Sequence, residues 1–136
     1  MKVLLFCGNY DKRILEEAKK VGEVYYFENK SLREILQEHK TAEIVFINSG
    51  HIDIEMLEDN QSLLGLVCPE DVLEEIGISA VSALGVVTLQ MPSANQYTQE
   101  WDVIFSEINK VLDRKITEFA VDKNVYHHPN WKRIFI

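Results

Sequence analysis

Five short apolar runs limit what this chain can fold into. They are Lys2 to Cys7 (KVLLFC), Glu23 to Phe27 (EVYYF), Glu43 to Asn48 (EIVFIN), Leu63 to Cys68 (LLGLVC) and Gly85 to Gln90 (GVVTLQ). All have strand length, and most are rich in β-branched or aromatic residues. Several of the intervening stretches carry helical spacing. This alternation implies a parallel sheet with helices on both faces, because parallel neighbours need crossover connections. Right-handed crossovers leave few topologies. For a chain of 136 residues the expected one is a three-layer α/β fold with a five-stranded, flavodoxin-like sheet of order 2-1-3-4-5.

The helices carry their own punctuation. Asp11 is placed to cap the first, whose apolar positions Ile14, Leu15, Ala18 and Val21 stop at Gly22. Ser31 and Glu34 form a capping-box pattern ahead of Leu32, Ile35 and Leu36. His39 ends that helix, where positive charge suits the dipole. Pro69 reads as the first residue of a helix with Glu70 and Asp71 at its positive end and Gly77 as its stop. Ile78 to Leu84 fits either period. Trp101, Ile104, Phe105, Ile108, Val111 and Leu112 mark the strongest amphipathic helix. These elements make one α/β domain over residues 1–121. Residues 122–136 form an aromatic tail (VYHHPNW, then IFI), expected to dock on the domain or on a partner.

Charge and composition narrow the partners. Asp and Glu number 22 against 14 Lys and Arg, a net charge of −8. Such a surface repels a phosphate backbone, and the only basic cluster is WKRIF at the C-terminus, so nucleic acid is not an expected partner. No apolar run approaches the ~20 residues of a membrane span. The opening MKVLLFCGNY runs straight into a helix and has no small-residue cleavage pattern, so a cytoplasmic protein is expected. Two cysteines, Cys7 and Cys68, are too few for a disulfide framework or a cysteine-only zinc site.

Open parallel sheets bind ligands beyond the carboxyl ends of their strands, where the strand order reverses. Here that point lies between strands one and three. The loops there hold Asn9, Asp11, Asn48, Ser49 and His51, the ligand-binding candidates of this sequence. A simpler account is that polar turn residues satisfy backbone where strands end. His51 can serve as acid, base or ligand, or be an exposed loop residue. Asp53 and Glu55 lie close to it in sequence, with no direction assigned. His127 and His128 could help bind a metal, although adjacent side chains rarely point the same way, and no metal or cofactor is expected. The chain has no G-x-G-x-x-G, no phosphate-binding G-x-x-x-x-G-K-[ST] and no G-x-S-x-G elbow. Cys7 to Arg13 has the spacing of a C-x5-R phosphatase loop. It has a single glycine, an acidic Asp11, and Ile14 where a Ser or Thr usually closes the loop.

Two resemblances bear on function. KVLLFC with its following helix, LREILQEHKTAEIVFIN, and LQMPSANQYTQEWDVIFSEINKVL together resemble a response-regulator receiver domain over roughly residues 1–115. The family's functional residues do not carry over. Its acidic pair falls on Cys7 and Gly8, its phosphoacceptor aspartate on Asn48, its hydroxyl residue on Cys68 and its lysine on Met91. Magnesium needs hard oxygen ligands, and an amide is no nucleophile for phosphoryl transfer. The resemblance therefore implies a degenerate, phosphorylation-independent receiver-like module, regulatory and non-catalytic, with a protein partner or a homodimer. In addition, GVVTLQMPSAN is similar to the turn closing the substrate domain of D-2-hydroxyacid dehydrogenases, with Ser93 where that turn has glycine. No dinucleotide-binding half accompanies it, so hydride transfer by this chain alone is not expected. The alternative to the regulatory module is a small-molecule-binding protein or small enzyme using the loops after strands one and three.

Overall fold

The computed structural model describes residues 2–93 and 96–131. Its strands are β1 (Val3–Cys7), β2 (Glu23–Phe27), β3 (Ile44–Ile47), β4 (Gly65–Cys68) and β5 (Val87–Gln90). They form one all-parallel sheet of order β2-β1-β3-β4-β5. The helices are α1 (Lys12–Ala18), α2 (Leu32–Glu38), α3 (Ile54–Glu58), α4 (Glu70–Ile76), α5 (Ile78–Ala83) and α6 (Gln99–Leu112). A short 3-10 helix follows at Lys123–His127.

The period-2 alternation of the strands sorts the core into two halves. Leu4, Phe6, Ile44, Phe46, Val67, Val87 and Leu89 face α1, α6 and the chain beyond α6. Val3, Leu5, Cys7, Val45, Ile47, Leu66 and Cys68 face α2 to α5. Both faces of the three central strands are buried, which is why their sequences read as continuous apolar runs. The Phe6 and Phe46 rings stack at 4.0 Å across the β1–β3 pair, and Trp101 and Phe105 of α6 close over Phe46 at 6.3 and 6.2 Å.

Several local expectations need correction. Ser31 is the N-cap of α2 but its side chain makes no capping hydrogen bond. Pro69 is the N-cap of α4, one position before the helix rather than inside it. Ile78–Ala83 is a helix, separated from α4 only by Gly77, whose φ of +86° breaks the helical path. Helix α3 had no place in the sequence reading, because its five residues are too few to show a period. His39 does end α2, and its ring lies 5.0 and 5.1 Å from those of Tyr25 and Phe27.

Beyond α6 the chain returns along β5. Val121 N–H donates to the Thr88 carbonyl at 2.9 Å, so the free edge of β5 is partly covered. Thr117 is wholly buried, and its hydroxyl donates to the buried Glu107 carboxylate at 2.7 Å. Val125, Tyr126 and Trp131 are buried, and the Trp131 indole donates to the Gly85 carbonyl at 2.7 Å. Gly85 has a φ of +79°, and a Cβ there would lie 2.5 Å from His128 Nδ1, so only glycine admits the tail. Residues 132–136, which hold IFI and all of WKRIF except Trp131, lie outside the described chain. Among the described residues, no helix is long and apolar enough to cross a membrane.

Candidate functional site

The loops after β1 and β3 meet over Gly8. Its φ is +113°, and a Cβ there would collide with Asn48 Oδ1. The absence of a side chain lets Asn48 lie across the β1 loop, where its Nδ2 donates to the Asn9 carbonyl at 2.5 Å. Ser49 Oγ donates to Asn48 Oδ1 at 3.4 Å. Below them Tyr10 folds inward, with its ring edge-on to Phe6 and its hydroxyl donating to the Cys7 carbonyl at 3.0 Å. Asp11 does two jobs. One carboxylate oxygen caps α1 through Arg13 N–H at 3.3 Å, and the other accepts from Tyr97 N–H at 3.1 Å. The Arg13 guanidinium sits 4.4 Å above the Tyr97 ring, a cation–π contact that pins the loop leading into α6.

Asn9, Asn48 and Ser49 are thus brought into one network, and Asp11 joins it to the β5–α6 connection. His51 is drawn away. Its Nε2 is 2.7 Å from Asp53 Oδ1, and its Nδ1 is 2.9 Å from Glu75 Oε1. Arg33 of α2 stands 3.6 Å from the other Asp53 oxygen. The hydrogen bonds from Glu75 and then Asp53 favour the imidazolium and raise the His51 pKa above its ordinary value. Sequence reasoning had no means of placing Glu75, since it reaches His51 from α4 across 24 positions.

The phosphatase-like pattern fails on physical grounds. Cys7 is 5% exposed, and burial pushes its thiol up to about 12, away from the thiolate that such chemistry needs. Arg13 stacks on Tyr97 instead of facing Cys7. His128 Nδ1 accepts from Asn130 N–H at 3.1 Å, and no group of three metal-ligating side chains occurs among the described residues.

Open space lies elsewhere. A groove of about 450 Å³ flanks the carboxyl end of β5, walled by Met91, Ile104, Val103 and Phe119 with Gln90, Ser93 and Glu100 on its rim. Phe119 is 53% exposed there. Ala94 and Asn95 of the LQMPSAN turn lie outside the described residues. A second cavity, of about 370 Å³, lies at the opposite end of the sheet beneath β4 and β5. The sequence reading named neither. Phe119 and Asn60 sit in segments without periodicity, so nothing in the pattern marked them.

Neither a protein-family model nor a curated protein matches the chain. Solved structures do. A glyoxylate reductase from Paecilomyes thermophila is similar at 12% identity and a TM-score of 0.57, covering 68% of this chain and 32% of that one. The apo D-lactate dehydrogenase of Escherichia coli gives 17%, 0.54, 68% and 32% for the same quantities. An NADPH-dependent glyoxylate/hydroxypyruvate reductase from Sinorhizobium meliloti, bound to NADP and malonate, gives 17%, 0.54, 68% and 28%. The chain therefore spans about a third of the length of these proteins. At such identity the likeness establishes a fold, a Rossmann- or flavodoxin-like parallel sheet.

These likenesses overturn the receiver reading, and with it the regulatory, signalling and non-catalytic module drawn from it. The neighbours are two reductases and a dehydrogenase. The error has a physical source. Any 2-1-3-4-5 sheet buries both faces of its central strands, so a hydrophobic pattern alone cannot separate one family with that order from another.

Proposed function

We propose that this chain is a small-molecule-binding α/β domain of the kind that supplies the acid-binding part of a 2-hydroxyacid dehydrogenase-like assembly. The observation that carries this reading is the sheet order. Dinucleotide-binding halves use a 3-2-1-4-5-6 order with G-x-G-x-x-G after the first strand. This chain has β2-β1-β3-β4-β5 and no such glycine pattern. Its likeness to dehydrogenases extends over about a third of their length. The fit is therefore to a part of such an enzyme that holds the organic acid rather than the nucleotide.

The ligand class is a short 2-oxo or 2-hydroxy carboxylate, held at the rim formed by the β1 and β3 loops. Ser49, Gly50 and His51 are exposed there, and Gly50 has a φ of +103° with open space around it. Arg33, which also faces Asp53 at 3.6 Å, and Arg13, seated over the Tyr97 ring, are the cations nearest that rim. Hydride transfer requires a nicotinamide nucleotide bound by a separate unit.

The test is nuclear magnetic resonance titration of the full chain with glyoxylate, D-lactate and NADH in separate arms. Glyoxylate or D-lactate is expected to move the Ser49 to His51 amide signals, and NADH alone to leave them in place. Binding of NADH, or silence toward both acids at tens of millimolar, overturns the proposal.

A further inference from the structure

Exposed apolar surface is unevenly spread over the molecule. Five large apolar side chains are exposed among the described residues. Four of them belong to α6 or to the segment that returns along β5: Val103, Ile116, Phe119 and Val121. The fifth, Tyr26, lies on β2 at the opposite edge of the sheet. Single apolar residues on a surface need no explanation, but a gathered set marks a surface that meets something.

Val103 and Phe119 also wall the groove of about 450 Å³ at the carboxyl end of β5, together with Met91, Pro92 and Ile104. Its exposed lining is mostly apolar. Glu100 stands on the rim, is exposed, and makes no ion pair among the described residues. Asp102, in the same first turn of α6, is exposed as well. No lysine or arginine is among the described residues of the lining. The complement to this surface is a short apolar segment led by cations.

The sequence holds one such segment. Lys132, Arg133, Ile134, Phe135 and Ile136 follow Trp131 directly. Their own groove is out of reach. The Trp131 indole donates to the Gly85 carbonyl at 2.7 Å, at the amino end of β5. Gly85 and Met91 are separated by about 20 Å at the rise of a strand. Ile134 lies at most about 11 Å from Trp131, whatever its conformation. That is short of Met91 even with the reach of the indole added, so the apolar run cannot seat whole in the groove of its own chain. A two-fold axis across β5, by contrast, sets the amino end of each copy beside the carboxyl end of the other.

We propose that the groove receives residues 132–136 of a second copy, exchanged reciprocally in a two-fold dimer. Ile134 and Phe135 enter between Met91, Val103, Ile104 and Phe119, and Lys132 and Arg133 meet Glu100. No residue of the rim formed by the β1 and β3 loops lines this groove, so the dimer stands whether or not that rim binds acids.

The test is sedimentation velocity of the full chain over a concentration series up to millimolar. A monomer–dimer equilibrium is expected. Phe119→Glu spoils the groove, and Phe135→Glu spoils the segment that enters it. Each is expected to raise the dimer dissociation constant about tenfold or more, with the circular dichroism unchanged. Phe119 is 53% exposed, so its replacement spares the core. Val103→Glu, at the facing wall, gives a second variant of the groove with the same expected effect. Mixing Phe119→Glu with Phe135→Glu leaves one sound groove and one sound segment on different chains. The mixture is expected to dimerise more tightly than either variant alone. A natural chain that stays monomeric at millimolar concentration, a dimer indifferent to these substitutions, or a mixture no tighter than its parts overturns the proposal. The first of these results would mean that residues 132–136 serve their own chain or a different protein.

Discussion

The two ends of the sheet are organised in opposite ways. At the carboxyl ends of β1 and β3, polar side chains settle on one another and on backbone: Asn48 on Asn9, Tyr10 on Cys7, Asp11 on Arg13 and Tyr97. At the amino ends of β4 and β5, closure is apolar and comes from far along the chain. Trp131 seats against Gly85, yet a buried donor on Asn60 stays unpaired. The contrast teaches that topology and hydrogen-bond accounting answer different questions. Topology says where strand-end loops converge. Accounting says which of the converged groups are paired and which are not.

The comparison can be broken first at the amino end. Trp131→Ala removes a fully buried indole and is expected to cost about 3–5 kcal/mol, measured by urea unfolding. Trp131→Phe keeps a ring but loses the Gly85 hydrogen bond, and about 1–2 kcal/mol is expected. If Trp131→Ala proves nearly neutral, the tail is not part of the cooperative fold and the contrast between the ends fails.

At the carboxyl end the largest expected effect is Gly8→Ala, about 2–3 kcal/mol from the positive φ and the collision with Asn48. Asn48→Ala alone should cost only about 1 kcal/mol, one hydrogen bond at a partly open position. The double variant should recover part of the Gly8→Ala loss, giving a measurable coupling. Strict additivity would show that the two loops do not meet as described.

The smallest effect concerns His51. Its folded-state pKa is raised by Glu75 and Asp53, so protonation favours the folded state. That contribution is complete below the unfolded value of about 6.5 and fades as pH rises through the higher folded value. The difference in Tm between the natural chain and His51→Gln should therefore be greatest near pH 5.5–6 and shrink toward pH 8. An increase in that difference with pH would contradict the geometry of the His51 contacts.

Much of the fold was legible because burial writes itself into sequence. The runs KVLLFC, EIVFIN and LLGLVC announce strands covered on both faces, and the spacing from Trp101 to Leu112 announces α6. The order 2-1-3-4-5 followed from handedness and chain length. Short helices escaped, as α3 shows, because five residues cannot display a period. The candidate site was legible as a place: Asn9, Asn48 and Ser49 do come together. Its partners were not, because Glu75 reaches His51 and Tyr97 reaches Asp11 only through the folded sheet. Asn60 was invisible for a related reason. A buried asparagine in a loop carries the same letters as an exposed one.

The seating of Trp131 has an optical consequence. Its indole is fully buried and tethered to Gly85, beside Asn130 on the wall of the amino-end cavity. Loosening of the tail moves that ring from an apolar setting into water and shifts its emission to the red. With Trp101 replaced by phenylalanine, the chain carries a single tryptophan, at the closure of the cavity, so opening of the tail can be followed in real time by selective excitation of that ring without any added label.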